Sequence, residues 1–255
     1  MLKFDHIGMK YKTLTGYTEA LVDVNFDVND GEFVTVLGPS GCGISTFLFI
    51  GTGLTAPTSG RAVLDGNEIT KPVKEVGFVF QDHLLLEWRT VLQNIMIQGE
   101  FRNLDKAVTK QKAMELIRQV GLEGFENKYP WELSGGMQQR VSICRALVHE
   151  PELLMMDEPY GALDALTREQ MRVDLEKMWM QKKCTILFVT HDIDEAIMLA
   201  DKVVILTPRP GRVKSIIPID LPRPRNLAVK ESREFLAYRK EITGIFTEMG
   251  ILKED

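Results

Sequence analysis

The stretch FVTVLGPSGCGISTFLFIGTGL, residues 33–54, decides how the rest of the chain is read. Its first five residues form a strand-like apolar run that opens directly into a loop with glycine at 38, 41 and 43. Beyond the loop, apolar residues recur at helical spacing as far as Gly53. A glycine loop between a strand and a helix presents consecutive backbone N–H groups to an anion, and the helix dipole adds partial positive charge at the same place. Gly38, Pro39, Ser40, Gly41, Cys42, Gly43, Ile44, Ser45 and Thr46 follow the phosphate-cradling pattern G-x-x-x-x-G-K-[ST] with one departure: Ile44 stands in the place of the lysine. In such a loop Ser45 is the expected magnesium ligand and Thr46 the residue that bonds a phosphate oxygen. Without its lysine, the segment reads equally well as a bare glycine turn.

Working outward, LLMMD (153–157) and TILFVT (185–190) are apolar throughout, as strands buried on both faces should be, and are expected beside 33–37. Short apolar runs alternate with helix-period segments, which points to an α/β fold with a mostly parallel sheet. The first 30 residues differ: DHIGMKYKTL and ALVDVNFDVNDGE alternate like antiparallel strands, with Asn29-Asp30-Gly31 as a turn. From about 87 to 150 the character is helical, and Met137, Val141, Cys144 and Val148 share one face, as in an insertion between core strands. The tract PRPGRVKSIIPIDLPRPRN is expected to be irregular or edge strand, with its arginines (209, 212, 223, 225) in solvated turns. A closing helix should then carry Phe235, Tyr238, Ile242, Ile245 and Met249.

Composition narrows the function classes. The 255 residues are 44% hydrophobic and 26% charged, enough for a sizeable core in one large domain with an inserted lobe. No apolar run approaches the roughly 18 residues of a membrane helix, and MLKFDHIGMK lacks a signal peptide's apolar stretch. The expectation is a soluble chain that is not exported and meets a membrane only through a partner. Three scattered cysteines and four scattered histidines give no metal framework. A net charge of −5 gives no support to a nucleic-acid footprint.

Two further motifs carry chemistry. LLMMDEP ends a buried strand in two carboxylates: Asp157 is suited to hold magnesium through water, and Glu158 to orient or deprotonate an attacking water. LSGGMQQR (133–140) sets Ser134, Gly135 and Gly136 at the start of an amphipathic helix as a second anion site. A capped helix start explains the serine there but not the paired glycines.

Taken in order, GPSGCGIST, Gln81 in GFVFQD, LSGGMQQR, LLMMDEP, GALDAL and His191 in FVTHD resemble the ATP-binding cassette proteins from end to end. The resemblance implies a P-loop NTPase core over 1–208, with an N-terminal antiparallel β-lobe (1–32), a helical subdomain inserted at about 87–150, and a C-terminal extension (209–255). It implies ATP and Mg2+ as cofactors. By the same resemblance Tyr11, or failing that Tyr17, stacks on adenine, Gln81 senses the γ-phosphate and magnesium, His191 contacts the γ-phosphate, and Asp164 lies across a dimer interface. Cassettes of this family pair head to tail, so the implied partners are a second ATPase subunit, transmembrane permease subunits and, indirectly, a periplasmic or lipoprotein substrate-binding protein. The place of action is then the cytoplasmic face of the cell membrane. LLLEWRTVLQNI, LPRPRN and SREFLAYRKEI look like the nitrate, sulfonate and taurine importers, and Leu84, Leu85, Leu86 and Trp88 are expected on the permease-facing surface.

Ile44 complicates the enzymatic reading. A lysine there bridges the β- and γ-phosphates with a charge-assisted hydrogen bond worth about 1.5–3 kcal/mol. Loss of a comparable group in a transition state costs on the order of 10²–10³ in rate. Two functions remain open: an ATPase subunit slowed by a single change, or a non-hydrolysing cassette that docks to a permease or pairs with a competent relative. Retention of Gln81, Asp157, Glu158 and His191 favours the first. A soluble cassette of DNA repair or translation fits less well, because the chain has no coiled-coil insertion, tandem cassette or basic surface.

Overall fold

The computed structural model describes residues 1–14 and 16–252. They divide into two units, Met1–Lys74 with Thr185–Asp255, and Glu75–Cys184.

In the first unit, β1 (Leu2–Thr13) and β2 (Gly16–Val28) pair antiparallel. Their inward residues explain the alternation: Phe4 and Phe26 meet Phe47 with ring centroids 4.0–5.3 Å apart. The turn at 29–31 closes with Glu32 N–H donating to the Asn29 carbonyl at 3.1 Å, and Gly31 takes φ 69°, a left-handed value that glycine adopts without strain. Next come the fully buried β3 (Phe33–Leu37) and α1 (Ile44–Gly51). β4 (Ser59–Leu64) pairs antiparallel with β1, and β5 (Asn67–Glu68) completes a sheet ordered β2-β1-β4-β5.

In the second unit, β6 (Val76–Val79) and β7 (Leu153–Asp157) form a parallel pair. Between them in sequence lie α2 (Val91–Phe101), α3 (Lys106–Gln119) and α4 (Gly135–Leu147), and α5 (Ala165–Lys182) follows β7. Each helix has a side-chain cap at its start: Thr90, Asp105, Ser134 and Asp164. Ile95, Ala113, Ile117, Val141, Cys144 and Val148 form the helical core. Burial pushes the Cys144 thiol up to about 12, so it serves there as an apolar filler.

The chain then returns to the first unit with β8 (Thr185–Thr190), α6 (Ile193–Leu199), β9 (Lys202–Leu206), β10 (Val213–Pro218) and α7 (Arg233–Glu248). β3 lies between β8 and β9, parallel to both, and β10 runs antiparallel along β9. Phe235, Ile242 and Phe246 of α7 are buried in the same cluster as Ile197, Ile205 and Ile217. Among the described residues, no helix is long and apolar enough to cross a membrane.

Arg225, expected in a solvated turn, is only 2% exposed. Its guanidinium donates to the carbonyls of Ile197 (2.9 Å), Met198 (3.3 Å), Ala200 (2.6 Å), Ile219 (3.3 Å) and Leu221 (3.1 Å). Arg223 donates to the Leu199 carbonyl at 2.6 Å and to Asp201 at 2.8 Å. A helix end leaves its last carbonyls unpaired, and the end of α6 is buried away from water, so the arginine donors satisfy it.

Candidate functional site

The first unit holds the glycine loop. Gly41 (φ 78°) and Gly43 (φ 99°) take left-handed conformations, and Cys42 N–H closes a turn on the Pro39 carbonyl at 3.2 Å. Gly43 is also needed for space: a Cβ on it would lie 2.8 Å from the Ala20 carbonyl oxygen. It serves as the N-cap of α1 and has no side-chain cap bond, and the first turn carries no acidic residue. The opening N–H groups of α1 therefore have no side-chain oxygen spent on them, which is the condition for receiving an anion.

Ile44 is 7% exposed. Its Cδ1, the Cys42 sulfur and Leu206 Cβ lie 3.2, 2.9 and 3.3 Å from the position a Cβ on Gly38 would take. The branched side chain thus turns back into an apolar floor beneath the loop. It supplies neither charge nor donor.

Tyr11 stands beside this loop, its hydroxyl 3.0 Å from Thr46 Oγ1. Tyr17, the other aromatic considered, is 72% exposed and pairs across the hairpin with Lys12. His191 is exposed in the turn between β8 and α6. That turn is held by Thr190, whose hydroxyl accepts from Asp192 N–H (3.0 Å) and donates to Glu195 (2.5 Å), while Asp192 accepts from Glu195 N–H (2.8 Å). The arginines of the tail secure the other end of α6, so the short helix carrying this turn is fixed at both ends.

The second unit holds the carboxylates. Asp157 ends β7 and is 7% exposed. Glu158 follows with φ 41°, a left-handed conformation that is costly for a residue with a Cβ and is typical of functional positions. Around Gly161 the structure brings two predicted residues together: a Cβ there would lie 3.8 Å from Glu158 Oε2 and 3.9 Å from Gln81 Nε2. The Glu158 carboxylate and the Gln81 amide therefore lie within 4 Å of one point, which the Glu158 carbonyl oxygen also approaches at 3.5 Å.

Ser134 caps α4, accepting from Met137 N–H at 3.4 Å. The paired glycines separate into two cases. A Cβ on Gly136 would stand 2.6 Å from Thr167 Cγ2, so a larger residue there must displace that side chain of α5, whereas only His83 Nε2, at 4.0 Å, comes near Gly135. Asp164 caps α5, accepting from Thr167 N–H at 3.0 Å, and the hydrogen bonding at Thr167 holds its carboxyl below the usual aspartate value. Leu84 and Trp88 are exposed, at 55% and 73%, whereas Leu85 and Leu86, expected on the same surface, are half-buried, and Leu85 packs against the helical core.

Sequence reasoning missed two groups. His83 Nδ1 lies 2.6 Å from Gln139 Oε1, and Arg145 donates to the His83 (2.8 Å) and Leu84 (2.6 Å) carbonyls, tying the segment after Gln81 to α4. Arg209 Nε donates to the Gly41 carbonyl at 3.1 Å. Nothing local marks either contact, since the partners lie 56 and 168 residues apart.

Comparison with known proteins bears on this geometry. The family model described as "ABC transporter" matches residues 21–161. An uncharacterized ABC transporter ATP-binding protein of Methanocaldococcus jannaschii is 47% identical over 247 residues, 97% of this chain and 91% of the relative. The aliphatic sulfonates import ATP-binding protein SsuB of Bacillus cereus is 44% identical over 252 residues, 99% of this chain and 98% of the relative. Among solved structures, a dimeric post-hydrolysis state of the ATP-binding cassette MJ0796 bound to ADP and Pi matches with a TM-score of 0.77 at 31% identity, covering 87% of this chain and all of that one.

Proposed function

The chain belongs to the ATP-binding cassette family of ABC transporter ATPases, and on that premise we propose that it is the ATPase subunit of an importer for a small sulfonate or related oxyanion. The single observation that carries the proposal is the start of α1, uncapped and reached through left-handed glycines, within a chain that matches a sulfonate-import ATPase along nearly its whole length.

In this proposal the N–H groups of 41–46 hold the triphosphate of ATP, and Tyr11 stacks on the adenine. By the family resemblance Ser45 in the first unit offers a hydroxyl, and Gln81 and Asp157 in the second an amide oxygen and a carboxylate, each a hard oxygen donor of the kind magnesium takes. When bound, the metal neutralises charge that develops on the phosphate oxygens. Glu158 orients and deprotonates the attacking water, and His191 contacts the γ-phosphate. Ser134, Gly135 and Gly136 face the ATP of a second cassette, with Asp164 at the same interface. Leu84 and Trp88 meet the permease, so the chain acts peripherally at the cytoplasmic face of the membrane, and the cargo passes from a binding protein that it never touches.

Ile44 slows this cycle. ATP turnover of the chain assembled with its permease should rise by about 10²-fold in Ile44→Lys. Equal, rapid rates in both would refute the role given to residue 44. No turnover in either would favour a cassette that binds without hydrolysing.

A further inference from the structure

Neither the loop 38–46 nor α1 carries a charged side chain, so any side-chain cation that joins magnesium at a polyphosphate bound there lies elsewhere in the sequence. The turn 207–211, which follows β9, lies against the loop. Gly211 N–H donates to the Ala20 carbonyl (2.9 Å), and the Gly211 carbonyl accepts from Val22 N–H (3.0 Å), joining the turn to β2. A Cβ on Gly211 would lie 2.3 Å from the Cys42 carbonyl oxygen, so the two backbones are in contact. Thr207 braces the turn internally: its hydroxyl donates to the Pro210 carbonyl (3.0 Å) and accepts from Arg212 N–H (3.0 Å). From this fixed base Arg209 donates through Nε to Gly41, a residue of the loop itself. Among the described residues its two Nη groups have no hydrogen-bond or ion-pair partner.

We propose that Arg209 is the cation of this glycine loop, supplying the phosphates of bound nucleotide with the positive charge that Ile44 does not provide. The inference rests on the nucleotide-binding function proposed above. A guanidinium suits the role because one N–H can anchor it to the loop while its remaining planar donors face phosphate oxygens. Lysine in its place would have to serve both partners from a single nitrogen, without the planar fork that separates them.

A binding cycle on the full chain tests this, with a fluorescent ATP analogue and magnesium as the probe. Arg209→Gln should weaken binding about tenfold with Ile44 in place, and Arg209→Lys should recover only part of the loss. In the Ile44→Lys background the same Arg209→Gln change should cost less than about threefold, because the loop then has its own cation. The difference between wild type and Arg209→Gln should also shrink as salt rises, as expected for an exposed charge. Equal losses in both backgrounds would show that Arg209 only shapes the loop and would overturn the proposal. It would also fall if wild type failed to bind while Ile44→Lys bound. Absence of binding in every variant, Ile44→Lys included, would instead remove the nucleotide reading itself, and this inference with it.

Discussion

Two helices of this chain begin in glycine-rich sequence, and their starts are built in different ways. Before α1 the glycines serve backbone conformation: Gly41 and Gly43 adopt left-handed angles, and no side chain caps the helix. At α4 the glycines are already helical, Ser134 caps the end, and Gly136 makes room for Thr167 of α5. The first end keeps its donors available for a ligand, while the second spends one internally and uses one glycine for packing. A glycine pair is thus an ambiguous sign until its dihedral angles and neighbours are known.

The largest expected effect tests the chemistry proposed for Glu158. Glu158→Gln should lower ATP turnover by about 10²–10⁴-fold while leaving nucleotide binding intact, as measured by steady-state hydrolysis beside a binding titration. Parallel losses in both would mean that Glu158 shapes the unit and does no chemistry. Next comes the end of α6, where Arg225→Met leaves several buried carbonyls without donors; chemical denaturation should show a loss of about 3 kcal/mol or more. A near-neutral result would indicate that water reaches those carbonyls.

At α4 a pair of variants separates the two glycines. Gly136→Val should cost about 1–3 kcal/mol by overpacking against Thr167, whereas Gly135→Ala, with open space around it, should leave the melting temperature essentially unchanged. The smallest effect is pH-dependent. The Asp164 carboxyl is held below its ordinary value of 3.8, so the stability it contributes is fully present above that value and is lost as pH falls through the lower, folded value. Asp164→Asn keeps an N-cap acceptor and removes that acid dependence, which thermal melts between neutral and strongly acidic pH would reveal.

Much of this was legible in the sequence where burial imposes a pattern. β3, β7 and β8 are apolar at almost every position because the residues on both faces are buried, and the face of α4 appears at helical period. β4 gave no such signal, since half of its residues are exposed and its place is set by pairing with β1. The motif residues stood out because their glycines and acids fall in a fixed order and spacing that resembles a known family. Arg225 and Arg209 were not: in a proline-rich tract, nothing local distinguishes an arginine that closes a buried helix end, or one that reaches a loop 168 residues away, from one in solvent.

Function depends on whether the uncapped start of α1 still takes a triphosphate with Ile44 beneath it. Titrating the full chain and its Ile44→Lys variant with ATP and magnesium measures this directly. Saturable binding in both, weaker by about tenfold in the wild type, is the predicted result. Identical affinities would contradict the part assigned to residue 44, and no binding in either would contradict the site.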